Sequence, residues 1–90
     1  MNLKDKTVLI TGGASGIGKI MARLMLERKA RLIIWDVNQE SLRQTKDELS
    51  KQGTVFTYPV DVSTPEQIQN AAENVLSEIG TVDVLINNAG

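Results

Sequence analysis

The stretch TGGASGIG, residues 11–18, follows directly behind the β-branched and aliphatic run Thr7–Ile10. Beyond the loop, apolar residues recur with the spacing of one helix face, at Ile17, Ile20, Met21, Leu24 and Met25. The order is therefore a short buried strand, a glycine-rich loop and an amphipathic helix. In a parallel α/β sheet, a loop of this kind lies at the edge where ligands bind.

Three further extended segments are predicted from their apolar and β-branched residues: Leu32–Trp35, which Asp36 closes, Thr54–Val60 and Val82–Ile86. Strand and helix alternate as βαβαβαβ, which predicts an α/β fold with a parallel sheet and right-handed crossovers. We therefore predict one half of a doubly wound, Rossmann-type fold with strand order 3-2-1-4. The first two helices should lie on one face of this sheet and the third on the other.

Capping residues delimit the second and third helices. Asn38 is predicted to cap the second helix and Gly53 to end it. The third helix is predicted to begin at a capping box, residues 63–66, and to end at Gly80. The inward positions of the second helix are Leu42, Thr45 and Leu49, and those of the third are Ile68, Ala71, Ala72, Val75, Leu76 and Ile79.

Composition excludes several classes of function. The 90 residues carry a formal charge of -1 and no basic cluster, so neither nucleic acid nor an anionic membrane is an expected partner. The chain has no cysteine and no histidine, which excludes disulfides, zinc sites with these ligands and catalysis by either residue within it. No metal site is predicted. Residues 1–6 contain no apolar segment of signal-peptide length, and we expect a cytoplasmic protein.

The glycine loop is predicted to bind an anion. Unpaired N–H groups at a helix N-terminus, together with the helix dipole, favour a phosphate. Gly12, Gly16 and Gly18 would permit positive φ, let a pyrophosphate approach the backbone and let the helix pack closely on the strand. A plain turn between strand and helix is the alternative.

Asp36 favours the cofactor interpretation. It lies 18 residues beyond Gly18 at the end of the second strand, close to the offset of about 20 at which an acidic residue meets the adenosine ribose. A carboxylate there accepts hydrogen bonds from the ribose hydroxyls and repels a 2′-phosphate, so NAD is predicted over NADP. The alternative is an aspartate that only starts the turn before Asn38.

Three motifs together resemble the short-chain dehydrogenase/reductase family. TGGASGIG is similar to its T-G-x-x-x-G-I-G fingerprint, residues 87–90 match its N-N-A-G segment, and Asp61-Val62 matches its D-V pair. Residues 32–38 resemble the retinol- and hydroxysteroid-dehydrogenase-like branch. The resemblance covers the whole chain and implies an NAD-dependent oxidoreductase that transfers hydride between an alcohol or carbonyl substrate and nicotinamide.

The resemblance also implies roles for single residues. NADP-preferring members carry a basic residue just before the second loop glycine or just after the second strand, where this chain has Ser15 and Val37. Asp61 could instead belong only to the turn before Ser63, and Asn87 could serve only backbone groups. The implied cofactor-binding residues are Gly12, Ser15, Gly16, Ile17 and Gly18 at the pyrophosphate, Asp36 at the ribose, Asp61 and Val62 at the adenine, and Asn88, Ala89 and Gly90 nearer the nicotinamide.

No catalytic residue is assigned within the chain. The family's Tyr-x-x-x-Lys pair follows N-N-A-G, whereas Tyr58 lies on the third predicted strand and has Val62 four residues later. Residues 1–90 are thus interpreted as a truncated NAD(P)-binding domain that is inactive alone. The domain is expected either to self-associate, as a homo-oligomer, through the exposed fourth strand and the uncovered sheet face, or to be only marginally folded. A non-catalytic dinucleotide-binding module and an interaction domain remain the alternatives.

One departure from the family concerns stability. Lys29 stands near the end of the first helix, where the family usually has glycine. Lysine in the left-handed conformation would cost about 1 kcal/mol relative to glycine, unless the helix ends differently.

Overall fold

The computed structural model describes residues 2–89 and contains four strands and three helices. The strands are β1 (Thr7–Thr11), β2 (Arg31–Asp36), β3 (Val55–Pro59) and β4 (Val84–Asn87), and the helices are α1 (Gly16–Glu27), α2 (Gln39–Leu49) and α3 (Pro65–Glu78). All strand pairs are parallel and the sheet order is β3-β2-β1-β4, so the predicted fold and strand order are confirmed.

The core divides into two clusters, one on each face of the sheet. Successive residues of a strand point to opposite faces, and accordingly Val8 and Ile10 join one cluster while Leu9 joins the other. The first cluster contains Ala22 and Leu26 of α1 with Leu42 and Leu49 of α2, and the second contains Ala71 and Val75 of α3. This arrangement confirms that α1 and α2 share a face and that α3 covers the other.

The predicted apolar face of α1 is wrong in part. Ile17, Ile20 and Leu24 are 70%, 58% and 46% exposed, whereas the buried residues of the helix are Gly18, Ala22 and Leu26. Small residues let the start of the helix approach the sheet closely, and this contact turns the larger side chains outward. On α3, Leu76 is likewise exposed, because Ala71 and Val75 form the packed stripe.

Helix α2 begins as predicted and ends earlier. The Asn38 side chain accepts a hydrogen bond from the N–H of Ser41 at 2.9 Å, which confirms the cap. The last helical residue is Leu49, with Ser50 as C-cap in a right-handed conformation. Gly53 therefore lies beyond the helix end, and its prediction as the terminator is wrong. The intervening polar residues close the turn without a left-handed cap.

Helix α3 ends as predicted and begins differently. Gly80 follows the C-cap Ile79 with φ 117°, a conformation that favours glycine. The predicted capping box at residues 63–66 is wrong, because Thr64 is the N-cap and makes no side-chain cap bond. The Ser63 hydroxyl instead bonds to Asp61 within the preceding turn. Within residues 2–89, no helix is long and apolar enough to cross a membrane.

Candidate functional site

Thr11 ends β1 and lies at the centre of the candidate site. Its hydroxyl donates to Oδ1 of Asn87 at 2.9 Å and accepts the N–H groups of Asn88 and Ala89 at 3.0 and 3.1 Å. The side chain is buried, and one donor with two acceptor positions is the full capacity of a hydroxyl. Thr11 therefore fixes the segment that follows β4. Sequence reasoning missed this role, although a threonine at the end of a buried strand was a usable signal.

The first loop glycine is held from two sides. The N–H of Gly12 donates to the carbonyl of Trp35 at 2.7 Å, and Nδ2 of Asn88 donates to the Gly12 carbonyl at 3.2 Å. Asn87 uses its own side chain on the Thr11 hydroxyl rather than on a backbone group. The loop after β1 and the segment after β4 therefore form one hydrogen-bonded unit.

Gly16 and Gly18 are required for different reasons. Gly16 has φ 56°, and a methyl group there would meet no atom within 4 Å, so the backbone is open to an approaching ligand. Gly18 has no positive φ, so that part of its prediction is wrong. Its requirement is steric, because a methyl group would lie 2.1 Å from the carbonyl oxygen of Gly12. The predicted positive φ at Gly12 is confirmed, at 68°.

Asp36 ends β2 with its carboxylate against the glycine loop. Oδ2 accepts the N–H of Ala14 at 3.1 Å, and Oδ1 accepts the N–H of Asn38 at 3.2 Å. The second bond is the turn contact that the alternative interpretation of Asp36 required. The first joins the carboxylate to the loop 22 residues earlier. Because the side chain is only partly buried, acceptor positions of the carboxylate remain available to a ligand.

Asp61 is held in the turn between β3 and α3. Its Oδ1 accepts hydrogen bonds from the hydroxyl and the N–H of Ser63 at 2.6 and 2.9 Å. These bonds favour the ionised form and hold the pKa of Asp61 below its usual range. The N–H of Asp61 donates to Oε1 of Gln67 at 2.8 Å. The turn role is thus observed, and Asp61 is only partly buried.

A small cavity of about 70 Å³ brings together four of the predicted residues, Gly12, Asp36, Val62 and Ala89. It opens beside an apolar cleft of about 510 Å³ that shares Val62, Ala89 and Trp35 with it. Asp61 lines a separate cleft next to Val37 and Val60, which also border the small cavity. The remaining lining residues of the small cavity are Trp35, Val37 and Val60.

Three other predicted site residues do not line this cavity. Ser15 and Ile17 are exposed at the start of α1, and Asn88 is exposed where it bonds to the Gly12 carbonyl. Gly90 lies outside the described residues. Trp35 lines the cavity. Its indole Nε1 is buried and has no hydrogen-bond partner in the part of the chain that is described.

The sequence model of one family, short chain dehydrogenase, matches residues 6–90. The chain belongs to this family. It is 40% identical over 90 residues to mouse 17-beta-hydroxysteroid dehydrogenase 13, an alignment that covers 99% of this chain and 30% of the relative. The chain thus spans about a third of the length of the relatives it matches.

Solved structures of the family superimpose on the whole chain. NAD⁺-bound xylitol dehydrogenase matches with a TM-score of 0.94 at 26% identity, covering 100% of this chain and 35% of that one. L-Sorbose reductase from Gluconobacter frateurii, complexed with NADPH and L-sorbose, also gives a TM-score of 0.94, at 32% identity over 100% of this chain and 36% of the other. The fold described here is therefore the fold of cofactor-bound dehydrogenases.

Proposed function

We propose that residues 1–90 are the NAD-binding domain of an oxidoreductase, which in its full length transfers hydride between an alcohol or carbonyl substrate and nicotinamide. The observation that carries this proposal is the Asp36 carboxylate, which bonds to the glycine loop and lines one cavity with Gly12, Val62 and Ala89. The relatives support it, since the xylitol dehydrogenase holds NAD⁺ and the L-sorbose reductase holds NADPH.

The start of α1 fits a pyrophosphate. The Ser15 side chain makes no capping bond and the first turn holds no acidic residue, so no carboxylate of that turn opposes an anion. The first N–H groups of a helix lack intrahelical partners and carry partial positive charge. Gly16 leaves space for close approach of phosphate oxygens, and Gly12, Ile17 and Gly18 complete the proposed pyrophosphate site.

Asp36 fits the adenosine ribose. Its free acceptor positions would bind the 2′- and 3′-hydroxyls, and the cavity beside it presents Val37, Val60 and Val62 to the adenine. We assign Asp61 to the outer edge of the adenine and residues 88–90 to the second ribose. When bound, the nicotinamide ring supplies the carbon that accepts or releases the hydride. The residues of this chain bind and orient the dinucleotide.

We propose NAD rather than NADP because of the charge at the ribose. A 2′-phosphate would approach the Asp36 carboxylate, and two negative groups in contact repel each other. Val37 and Ser15, the positions at which NADP-preferring members carry a basic residue, offer no cation in compensation.

Calorimetric titration of the full-length protein with NAD and NADP tests this assignment. We expect the wild type to bind NAD at least about tenfold more tightly than NADP, equivalent to about 1.4 kcal/mol. In Asp36→Ala the preference should disappear, mainly through weaker NAD binding. Asp47→Ala removes an exposed carboxylate of α2 that pairs with Arg43 and should leave the preference unchanged. A preference retained in Asp36→Ala would exclude the ribose contact.

The hydride-transfer step requires groups that the described site does not supply. We assign proton transfer to a Tyr-x-x-x-Lys pair beyond Gly90, and we expect residues 1–90 alone to bind cofactor without turnover. Following NADH absorbance with a panel of alcohols and ketones, for the full-length protein and for residues 1–90, tests both statements. Cofactor binding without turnover by the full-length protein would favour a non-catalytic module.

The cytoplasmic location and the assembly into a homo-oligomer stay predictions.

A further inference from the structure

One residue of the glycine loop is held at both of its backbone polar atoms. Ala14 is buried, with its N–H donating to Oδ2 of Asp36 at 3.1 Å and its carbonyl accepting the Thr45 hydroxyl at 3.3 Å. Thr45 belongs to α2 and not to the loop or to any of the family motifs. A residue outside these motifs therefore fixes the backbone immediately before Ser15 and Gly16.

The Thr45 contact is not the default for a threonine in a helix. A helical threonine usually bonds to a carbonyl of its own preceding turn. The Thr45 hydroxyl instead reaches a carbonyl 31 residues away, while the residue itself is only 1% exposed. A buried hydroxyl needs a partner, and the Ala14 carbonyl of the loop supplies it. Thr45 lies on the buried face of α2, between Leu42 and Leu49.

The N-terminal end of α2 also contacts the Asp36 carboxylate. Asn38 caps α2, and its N–H donates to Oδ1 of Asp36. Thr45, Ala14, Asp36 and Asn38 consequently form a continuous chain of hydrogen bonds from α2 to the loop and back to α2. Each of the two peptide units that flank the Ala14 Cα is thus held by one hydrogen bond, the Gly13–Ala14 unit by Asp36 and the Ala14–Ser15 unit by Thr45.

We propose that Thr45 is a positioning residue for the pyrophosphate half of the cofactor site. This inference rests on the proposed function. The hydroxyl holds the Ala14 carbonyl toward α2. Because the C=O and N–H of one trans peptide unit point in opposite directions, the N–H of Ser15 is directed away from α2, toward the open side of the loop. Without the hydroxyl the Ala14 carbonyl loses its partner and the Ala14–Ser15 peptide unit can rotate, while the Gly13–Ala14 unit keeps its bond to Asp36. Pyrophosphate binding should weaken while the ribose contact persists.

The test compares ADP, which carries a pyrophosphate, with adenosine, which does not, as ligands of the full-length protein. In Thr45→Val we expect the dissociation constant for ADP to rise about three- to tenfold, the effect of one unmade buried hydrogen bond, while that for adenosine stays within error. Thr45→Ser should restore ADP binding. Thr45→Ala and Thr45→Ser both lack the methyl group and differ only in the hydroxyl, so they repeat the comparison if Thr45→Val does not fold.

Thr7→Val is the matched control. Thr7 is another buried threonine, at the opposite end of β1, and its replacement should leave both dissociation constants unchanged. Equal loss of ADP and adenosine binding in Thr45→Val, or no loss of either, would overturn the positioning role. A wild type that binds neither ADP nor NAD would overturn the proposed function itself, and this result is distinct from the first two.

Discussion

Lys29 adopts an unfavourable backbone conformation in the turn that follows α1. It has φ 69°, as its position after α1 predicted, with its N–H bonded to the Leu26 carbonyl and its own carbonyl accepting the N–H of Asp5. Both bonds hold the left-handed conformation, which disfavours any residue with a Cβ. The conformational cost therefore depends on the left-handed backbone at position 29 and not on the charge of the lysine side chain.

Lys29→Gly should stabilise the fold. We expect the free energy of unfolding to rise by about 0.5 to 1 kcal/mol, since relief of the left-handed strain exceeds the extra backbone entropy of glycine in the unfolded chain. Urea denaturation measures it. Arg28→Gly is the control, because Arg28 has φ −88° and gains nothing from glycine, so that variant should be less stable than the wild type. Lower stability of Lys29→Gly would contradict the argument.

Hydrogen bonds in the turn between β3 and α3 lower the pKa of Asp61. Ser63→Ala removes the hydrogen bond that lowers the pKa of Asp61 most and leaves the bond from the Ser63 N–H in place. The pKa of Asp61 should therefore rise toward its usual value, measured by the carboxyl ¹³C shift as a function of pH. Ser77→Ala, which removes an exposed hydroxyl bonded only to a backbone carbonyl, should leave that titration unchanged.

The sign of the stability effect follows from the direction of this shift. A carboxyl whose pKa is lowered on folding stabilises the protein above its unfolded pKa of about 4, and this contribution is lost as pH falls through the folded pKa. The stability difference between wild type and Ser63→Ala should thus be present at neutral pH and disappear in acid. A difference that grows on acidification would assign the bond a different role.

The elements also show what sequence can and cannot predict here. Continuous β-branched runs and capping residues such as Asn38 are local signals, so the strands, their order and the start of α2 were predictable. The buried face of α1 was not predictable. It depends on the close approach of Gly18 to the Gly12 carbonyl, which apolar periodicity does not reveal. Asp36 was found by its offset from the loop. The bonds of Thr11 and Thr45 join residues far apart in sequence and required the fold.

At the scale of the whole molecule, the sheet is covered unevenly. Leu85 of β4 is 61% exposed and lines the apolar cleft together with Leu9 and Ile68. Strand β4 pairs only with β1 in the described sheet, so its outer N–H and carbonyl groups are unpaired by other strands. An apolar edge of this kind is a template for pairing with another chain.

Residues 1–90 should therefore self-associate, and Leu85→Lys should reduce the association, because a charged side chain on an edge strand opposes pairing. Sedimentation velocity over a series of protein concentrations measures this as a shift of the weight-average mass toward the monomer. Val37→Lys is the matched control: Val37 is 65% exposed but follows β2, which is not an edge strand, and its variant should associate like the wild type. A wild type that stays monomeric at every concentration would show that the exposed edge is tolerated, and equal loss of association in both variants would assign the effect to net charge rather than to β4.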